Sequence, residues 1–378
     1  QSRSQYYPQV TYQGATAAGR NVQGGVPADI GGGVGKGSEV AGSVSWEIDL
    51  WGRIRRLNES ARANLFATSE ARTNVMISLI SSVAQSYFQL VALDEEMAIA
   101  EDTTNSFGQS LKIFKDRLHG GVSSKLETSA AAALLASAAA TIPDLRRQIV
   151  LQEDQIRVLL GQNPGPVTRP PGALQTELLP DIPAGLPSAL LERRPDIRQA
   201  EQLMRAANAQ IGVSQANFYP QISLTGLLGS ASRELTPFTS AASSAWYAAG
   251  TLTGPIFEGG LLKAQLRQAR AAWDESRFQF QSTVLNAFQE VSDALASRQE
   301  LTQERLEQER AVAAYKDAVE VANQRYVGGQ ANYYELLQEQ QLLFPAQNAL
   351  TQTHLNQLLA TVQLYKALGG GWQVESGH

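Results

Sequence analysis

The sequence contains no cysteine, which excludes a disulfide framework and any thiolate metal site. The three histidines, His119, His354 and His378, are scattered and predict no metal site. A net charge of -5 without a basic cluster argues against nucleic-acid binding. No stretch offers about 18 consecutive strongly apolar residues, so no transmembrane helix is predicted. A membrane β-barrel stays open, because each of its strands needs only about ten alternating residues.

Signs of a catalytic centre are also missing. The sequence has no glycine-rich loop that would hold a phosphate and no convincing pair of carboxylates. By the usual criteria for an active site, we therefore expect neither an enzyme nor a bound cofactor.

Four landmarks occur twice, in the same order and about 210 residues apart, which marks a duplicated unit too long for a solenoid repeat. The pairs are residues 6–10 with 218–222, 49–53 with 256–260, 117–121 with 325–329, and 159–161 with 367–369. Each unit is predicted to contain a strand, a loop, a second strand, a long helix, a Gly-Gly turn and a second helix.

Alternating apolar and polar residues predict the strands. The alternation is unbroken over residues 40–50 and weaker elsewhere, and it places strands at about 8–19, 38–51, 218–231 and 245–257. Each pair alone also fits a surface hairpin with one buried face. Aromatic residues near the strand ends favour a membrane barrel instead. Because four strands cannot close a barrel and an open edge cannot face lipid, membrane strands would require several copies of the chain.

Each unit is also predicted to contain a long helical hairpin, at 53–161 and 261–368. Residues 262–326 contain neither proline nor glycine and have heptad-like apolar spacing, which predicts a helix of roughly 100 Å. We expect Pro143 to kink or break the second helix of the first hairpin, and Pro345 to disturb its counterpart less.

The chain therefore divides into two repeats and a connector. We expect a first repeat at 1–161, a proline-rich connector at 162–187, a second repeat at 188–372 and a tail at 373–378. A predicted helix at 195–217 precedes the strands of the second repeat. Only residues 1–5 precede the matching landmark in the first repeat, so we expect the sequence to lack a first helix, together with any signal peptide or lipidation site.

Several motifs carry a family resemblance. Residues 191–201 (LERRPDIRQAE) are followed by 218–224 (FYPQISL), and stretches 49–53, 159–165 and 255–260 add further matches. These motifs resemble the outer-membrane efflux protein family, and more narrowly the NodT-type lipoprotein channels of tripartite RND multidrug pumps. The resemblance covers essentially the whole chain. It implies a mainly α fold with a membrane β-barrel, in which a homotrimer forms a twelve-stranded barrel and a periplasmic α-helical barrel.

The resemblance also implies a function, a location and partners. The chain would be a passive exit duct in the outer membrane of a Gram-negative cell, extending into the periplasm. It would export small hydrophobic or amphiphilic compounds such as drugs. An inner-membrane RND transporter would supply the energy, joined to the duct by a periplasmic adaptor (membrane fusion) protein. Outer-membrane lipid is the remaining partner, and no cofactor is implied.

In this family the hairpin tips converge to close the tunnel, and adaptor hairpins dock on them to open it. The matching docking residues are Gly120, Gly121, Val122, Gly328 and Gly329. The matching gate residues are Glu127, Tyr326, Glu335, Gln338 and Glu339.

The gate residues depart from the family pattern in one place. Tyr326 lies where some relatives place a tyrosine that bonds an acidic residue of the neighbouring hairpin, which Glu127 would supply. Glu127 equally fits a plain helix cap. Many relatives carry an aspartate ring where this chain has Gln338. Neither Glu335 nor Glu339 replaces that aspartate, because a helix turns by about 100° per residue, so the resemblance does not establish a cation-binding ring.

Other functions stay open at this point. A type I protein-secretion channel shares the architecture, and a metal-efflux channel is possible within the family, although the chain has few methionines and histidines to support it. Outside a membrane, the chain would be a helical-hairpin interaction protein. A periplasmic adaptor is disfavoured, since it would carry one hairpin flanked by lipoyl-like halves.

Overall fold

The computed structural model describes residues 2–20, 34–172, 174, 192–232 and 244–370. Most of the predicted connector, from 175 to 187, and the predicted tail at 373–378 lie outside the described residues. The elements are a 3-10 helix Ser2–Tyr6, β1 Gln9–Arg20, β2 Val34–Ile48, α1 Arg53–His119, α2 Lys125–Leu159, α3 Pro195–Ala216, β3 Gln221–Ser232, β4 Ser244–Thr253, α4 Leu261–Val327 and α5 Tyr333–Ala367.

The duplication is visible in the helix lengths. Helices α1 and α4 each have 67 residues, and α2 and α5 each have 35. The chain separates into two compact units, Gln1–Glu70 with Ile197–Thr283 and Ala71–Asp196 with Val284–His378. The first unit holds the sheet and α3, and the second holds α2 and α5. Each unit therefore draws on both sequence repeats.

The strands form one antiparallel sheet in the order β1-β2-β3-β4. Strands β1 and β2 form the hairpin of the first repeat, and β3 and β4 that of the second. The two hairpins are joined by pairing between β2 and β3, in which Val44 lies opposite Gly226. Val44 also lies opposite Val10, and Gly226 opposite Ala248.

The register places the even-numbered residues of all four strands on one face, which we call the apolar face. Most of its large side chains are exposed: Val10, Tyr12, Val40, Val44, Trp46, Leu224, Leu228, Trp246 and Leu252. On the opposite face the Thr11 and Ser43 hydroxyls are 2.6 Å apart, and Gln13 donates to Glu39 at 3.0 Å. An exposed apolar face backed by a polar one is the arrangement of strands that meet lipid on one side and an aqueous lumen on the other.

Strand β2 ends at Ile48, three residues before the expected end at 51, because Asp49 caps helix α1. Its carboxylate accepts hydrogen bonds from the N–H groups of Ile54 (3.0 Å) and Arg55 (2.8 Å), which have no partner within the helix. Trp51 then stacks on Tyr219, with ring centroids 4.7 Å apart. These contacts fasten the lower end of the sheet to the helices.

Pro143 was expected to kink or break the second helix of the first hairpin; a break is wrong, since α2 is one helix from Lys125 to Leu159. Helix α5 likewise continues through Pro345. A proline inside a helix leaves one carbonyl without its N–H partner. The carbonyl left free is that of Ala139, which is only partly buried, so water can bond it without a break in the helix.

A substitution at Gly229 tests the register between β2 and β3. A Cβ atom there would lie 2.4 Å from the carbonyl oxygen of Val40 and 2.7 Å from the Cβ of Ala41. We expect Gly229→Ala to destabilise the sheet by about 1–3 kcal/mol through overpacking. Gly226→Ala is the matched control in the same strand, because its Cβ would meet only an oxygen at 3.8 Å. Thermal unfolding in detergent, followed by circular dichroism, should show a lower midpoint for Gly229→Ala alone, and equal midpoints would contradict the register.

Candidate functional site: the two hairpin tips

Tip 1, residues 118–124, reverses the chain between α1 and α2 with a glycine turn. The N–H of Val122 bonds the carbonyl of Arg117 at 3.0 Å, and the N–H of Gly121 bonds that of Leu118 at 3.0 Å. This is the Schellman pattern, and Gly121 has the positive φ (75°) that it requires. Gly120 occupies the preceding position, and its N–H bonds Asp116 at 3.1 Å.

Tip 2, residues 326–332, repeats the same turn between α4 and α5. The N–H of Gln330 bonds the carbonyl of Arg325 at 2.9 Å, and the N–H of Gly329 bonds that of Tyr326 at 3.1 Å. Gly329 has φ 74°, and Gly328 takes the place of Gly120. The predicted docking glycines therefore form two equivalent turns.

A hydrophobic cluster lies directly behind the turns, which we call the tip cluster. Its buried members come from α1, α2, α4 and α5: Leu111, Phe114, Ala131, Ala322, Tyr326, Tyr333 and Leu336. Phe114 is at the centre, with its ring centroid 3.9 Å from that of Tyr333 and 5.5 Å from that of Tyr326. The aromatic contacts therefore join the ends of α1, α4 and α5, and Ala131 brings α2 into the same cluster.

Arg117 links the two tips within the chain. Its guanidinium carbon lies 4.2 Å from the centroid of the Tyr326 ring, a cation-π distance. Its Nη2 also donates to the Tyr326 carbonyl at 3.4 Å. That carbonyl lies in the last turn of α4, where a cationic side chain is favourable.

Burial changes the acidity of both tyrosines. It raises the pKa of Tyr326, although the positive charge of Arg117 acts against the shift. Burial also raises the pKa of Tyr333 to about 12, with smaller contributions from Tyr326 and Glu127. Both hydroxyls are therefore neutral at physiological pH and can act only as uncharged hydrogen-bonding groups.

Glu127 caps the first turn of α2. Its carboxylate accepts hydrogen bonds from the Ser123 hydroxyl and from the N–H of Ser124 (2.9 Å), while its own N–H donates to the Ser124 hydroxyl at 3.3 Å. This is a capping box. The bond from Ser123, followed by that from Ser124, lowers the pKa of Glu127. No contact within the described part of this single chain joins its carboxylate to the Tyr326 hydroxyl.

The other predicted gate residues lie on α5 outside the tip cluster. The N–H of Glu335 bonds the Asn332 side chain at 3.2 Å, and its carboxylate lies 3.4 Å from Arg325. Gln338 is exposed and Glu339 is half-buried. The structure therefore joins Tyr326 to the tip cluster but does not bring Glu335, Gln338 or Glu339 into it.

Sequence reasoning missed Phe114, Arg117 and Tyr333. A signal existed for Arg117, because the landmark at 117–121 repeats it as Arg325 in the second unit. Phe114 and Tyr333 carried no such signal, since only the folded hairpins bring them into contact.

Substitutions of two adjacent tyrosines on α5 test whether the tip cluster holds the tips together. Tyr333 is 6% exposed and Tyr334 is 69% exposed. We expect Tyr333→Ala to destabilise the tips by about 3–5 kcal/mol, as for other buried aromatic side chains, and Tyr334→Ala to change stability by about 0.5 kcal/mol or less. Hydrogen exchange of the helix ends around both tips measures the difference. Similar exchange in the two variants would show that the cluster does not hold the tips together.

The capping box predicts that the stability of the first turn of α2 depends on pH. The folded state lowers the pKa of Glu127. The stability that its ionised carboxylate adds to the first turn of α2 is therefore fully present above the ordinary glutamate pKa, and it is lost as the pH falls through the lowered pKa. We expect hydrogen-exchange protection of the first turn of α2 to decrease over that acidic range. Glu127→Gln retains an oxygen acceptor but does not titrate, so its protection should stay constant. A wild-type profile as flat as that of the variant would contradict the assignment.

Comparisons with known proteins agree with this architecture. The family model of the outer membrane efflux proteins matches residues 1–162 and 186–370. The solvent efflux pump outer membrane protein SrpC of Pseudomonas putida is 38% identical over 332 residues, which are 88% of this chain and 70% of SrpC. The cation efflux system protein CusC of Escherichia coli O6:H1 is 34% identical over 334 residues, 88% of this chain and 72% of CusC.

A solved structure extends the match to the fold. The outer-membrane channel OprN superposes with a TM-score of 0.90 and 30% identity, over 98% of this chain and 83% of that of OprN. The predicted fold class, mainly α with the strands of a membrane β-barrel, is confirmed. The chain therefore belongs to the outer membrane efflux protein family, as a channel of the Gram-negative outer membrane that extends into the periplasm and serves an efflux pump rather than catalysing a reaction.

Proposed function

We propose that this chain is the passive exit duct of a tripartite pump that exports small hydrophobic or amphiphilic compounds. The name of SrpC attributes solvent efflux to a relative that is 38% identical, whereas the name of CusC attributes cation efflux to one that is 34% identical. With three methionines and three histidines, this chain offers a soft metal ion few ligands. That composition favours organic cargo.

The duct is proposed to be a homotrimer. In the sheet that the structure describes, β1 and β4 each have a strand on one side only, and free backbone groups cannot face lipid. Three copies would supply twelve strands and close the barrel. Helices α1 and α2 support association too, because each contains an 18-residue window of high mean hydropathy (1.4 and 1.2), of which only 28% and 11% is buried in the single chain. Exposed apolar surface of this extent marks an interface.

The tips are the proposed docking surface for the hairpins of a periplasmic adaptor, which would connect the duct to an inner-membrane RND transporter. Val122 is 80% exposed. A Cβ atom on Gly121 or Gly329 would meet nothing within 4 Å, so a partner backbone can approach both turns closely. Gly120 and Gly328 extend the same surface.

The gate is proposed to lie just behind the docking surface. Glu127, held by its capping box, is partly exposed, so a neighbouring copy can contact it. Tyr326 is only 5% exposed and would act from behind the surface, by holding the tip cluster and Arg117 in place. Glu335 and Glu339 would supply the negative charge along α5. Because Gln338 carries no charge, we expect this gate to bind cations more weakly than an aspartate ring would.

A single substitution at tip 1 tests the proposed docking. We expect Val122→Asp to weaken adaptor binding by about tenfold or more, because it places a charge in the apolar centre of an interface. Cells that depend on this channel should then accumulate a fluorescent amphiphilic dye. Val122→Ala is the matched control, since it shortens the side chain without adding charge, and it should retain most of the export.

Light scattering in detergent, with the micelle mass subtracted, checks that the Val122→Asp variant still assembles. Three chains of 40.8 kDa per particle in both variants would tie the export defect to docking. Normal export by Val122→Asp would reject the tips as the docking surface. A monomer that is soluble without detergent would reject the duct itself.

A further inference from the structure

A pocket of about 350 Å³ lies between the first turns of α1 and the facing turns of α3, within the unit that contains the sheet. Most of the polar side chains that line it are hydrogen-bond donors or amides: Arg55, Asn58, Arg62, Gln202, Arg205 and Asn208. Glu59 is the one carboxylate among the lining residues. We call this cavity the Arg62 pocket.

Most charges of the Arg62 pocket are already compensated. Arg55, Glu59 and Arg205 have ion-pair partners, with these distances: Arg55–Asp49 3.3 Å, Arg56–Glu59 2.8 Å and Arg205–Glu201 2.6 Å. Arg62 has no ion pair with any residue that the structure describes. One positive charge in the pocket is therefore left without a counter-charge.

Asn58 adds an independent observation. It is only 9% exposed, yet its side-chain amide makes no hydrogen bond to a described residue. The amide is not among the fully buried side-chain atoms that lack a partner, so it opens onto the pocket that the residue lines, where it can bond a ligand or an ordered water. Gln202 also lines the pocket without a hydrogen bond to any part of the chain that the structure describes. The unused groups beside Arg62 can all donate to the oxygens of an anion.

The pocket lies next to the lower edge of the apolar face. Tyr6 lines it, and the Tyr6 carbonyl accepts a hydrogen bond from the indole N–H of Trp46 at 3.0 Å. Trp46 belongs to the apolar face. Tyr6 and Phe66 are themselves partly exposed at the pocket, so its rim is aromatic and its interior is polar. Aromatic rims of this kind are typical of the membrane interface.

The positions of Asn58 and Arg62 along α1 place their hydrogen-bond donors at the depth of the lipid headgroups. That layer is about 5–8 Å thick on each side of a bilayer, and Asn58 lies about 8 Å along α1 from its first residue, Arg53. Arg62 lies about 14 Å along the helix. Side chains on a helix lean toward its N-terminus, which here is the end at the sheet. The guanidinium of Arg62 can therefore reach back to the level of Asn58.

We infer that the Arg62 pocket binds the phosphate headgroup of a lipid in the periplasmic leaflet of the outer membrane. The guanidinium and the free amides would bond the phosphate oxygens, while Tyr6 and Phe66 would contact the glycerol and the first methylene groups. One bound lipid per chain would fix the depth and the rotation of the channel in the membrane. The inference does not depend on the exported compound or on adaptor docking.

Native mass spectrometry of the whole channel in detergent tests the inference. Phosphatidylglycerol, a diacylglycerol with the same acyl chains, and inorganic phosphate are the three probes. We expect phosphatidylglycerol to bind and Arg62→Gln to weaken that binding by about tenfold or more. Arg62→Lys should restore part of it, because the ammonium keeps the charge without the planar fork. Arg310→Gln, an exposed arginine of the other unit, should bind like the wild type.

Three results would overturn the inference. Equal binding of phosphatidylglycerol by the wild type and Arg62→Gln would show that the pocket is not the site. Equal binding of diacylglycerol would show that the phosphate is not recognised. Inorganic phosphate binding as tightly as the lipid would make the pocket a site for a soluble anion. None of these results changes the expected export by the channel, so failure here is distinguishable from failure of the proposed function.

Discussion

The constraint on which the rest of the structure depends is that every backbone N–H and C=O group in a lipid environment needs a partner. Strands β2 and β3 satisfy it within one chain, whereas β1 and β4 leave edges for neighbouring copies. The exposed apolar face follows from the same environment, because lipid takes the place of a protein core on that side of the sheet. The sheet of one chain is thus one part of a closed barrel, and it is stable only when neighbouring copies pair with its two edges.

The sequence was most informative where structure is local. The repeated landmarks located both hairpins, and α1 and α4 have the same length because equivalent landmarks, 49–53 with 256–260 and 117–121 with 325–329, lie at their two ends. The expected strand end at residue 51 was wrong because Asp49 caps α1 before the strand could continue. The pairing of β2 with β3 could not be predicted, since it joins residues of different repeats and depends on a close approach at Gly229 that only the fold reveals.

At the tips, the resemblance identified the turns and two of the groups that they position. Glu127 proved to be a helix cap, the alternative that the sequence had left open, and Ser124 is its partner in the capping box. The aromatic contacts were not predictable, because Phe114 and Tyr333 are far apart in the sequence and look like ordinary helix residues. Among the predicted gate residues, Tyr326 therefore depends on a packing arrangement that no local motif shows, whereas Glu127 is positioned by a local one.

The tip cluster limits how such a gate can open. Its buried side chains come from all four helices of one chain, and exposing even one of its rings to water would cost about 1.5–3 kcal/mol. Separating α1 from α4 within a chain would also break the contact between Arg117 and Tyr326. The proposed adaptor would therefore meet less resistance if each chain kept its two tips together and moved away from its neighbours. Opening would then occur between copies, with Glu127 at the surface that each copy presents to the next and Tyr326, 5% exposed, keeping the two tips of its own chain together.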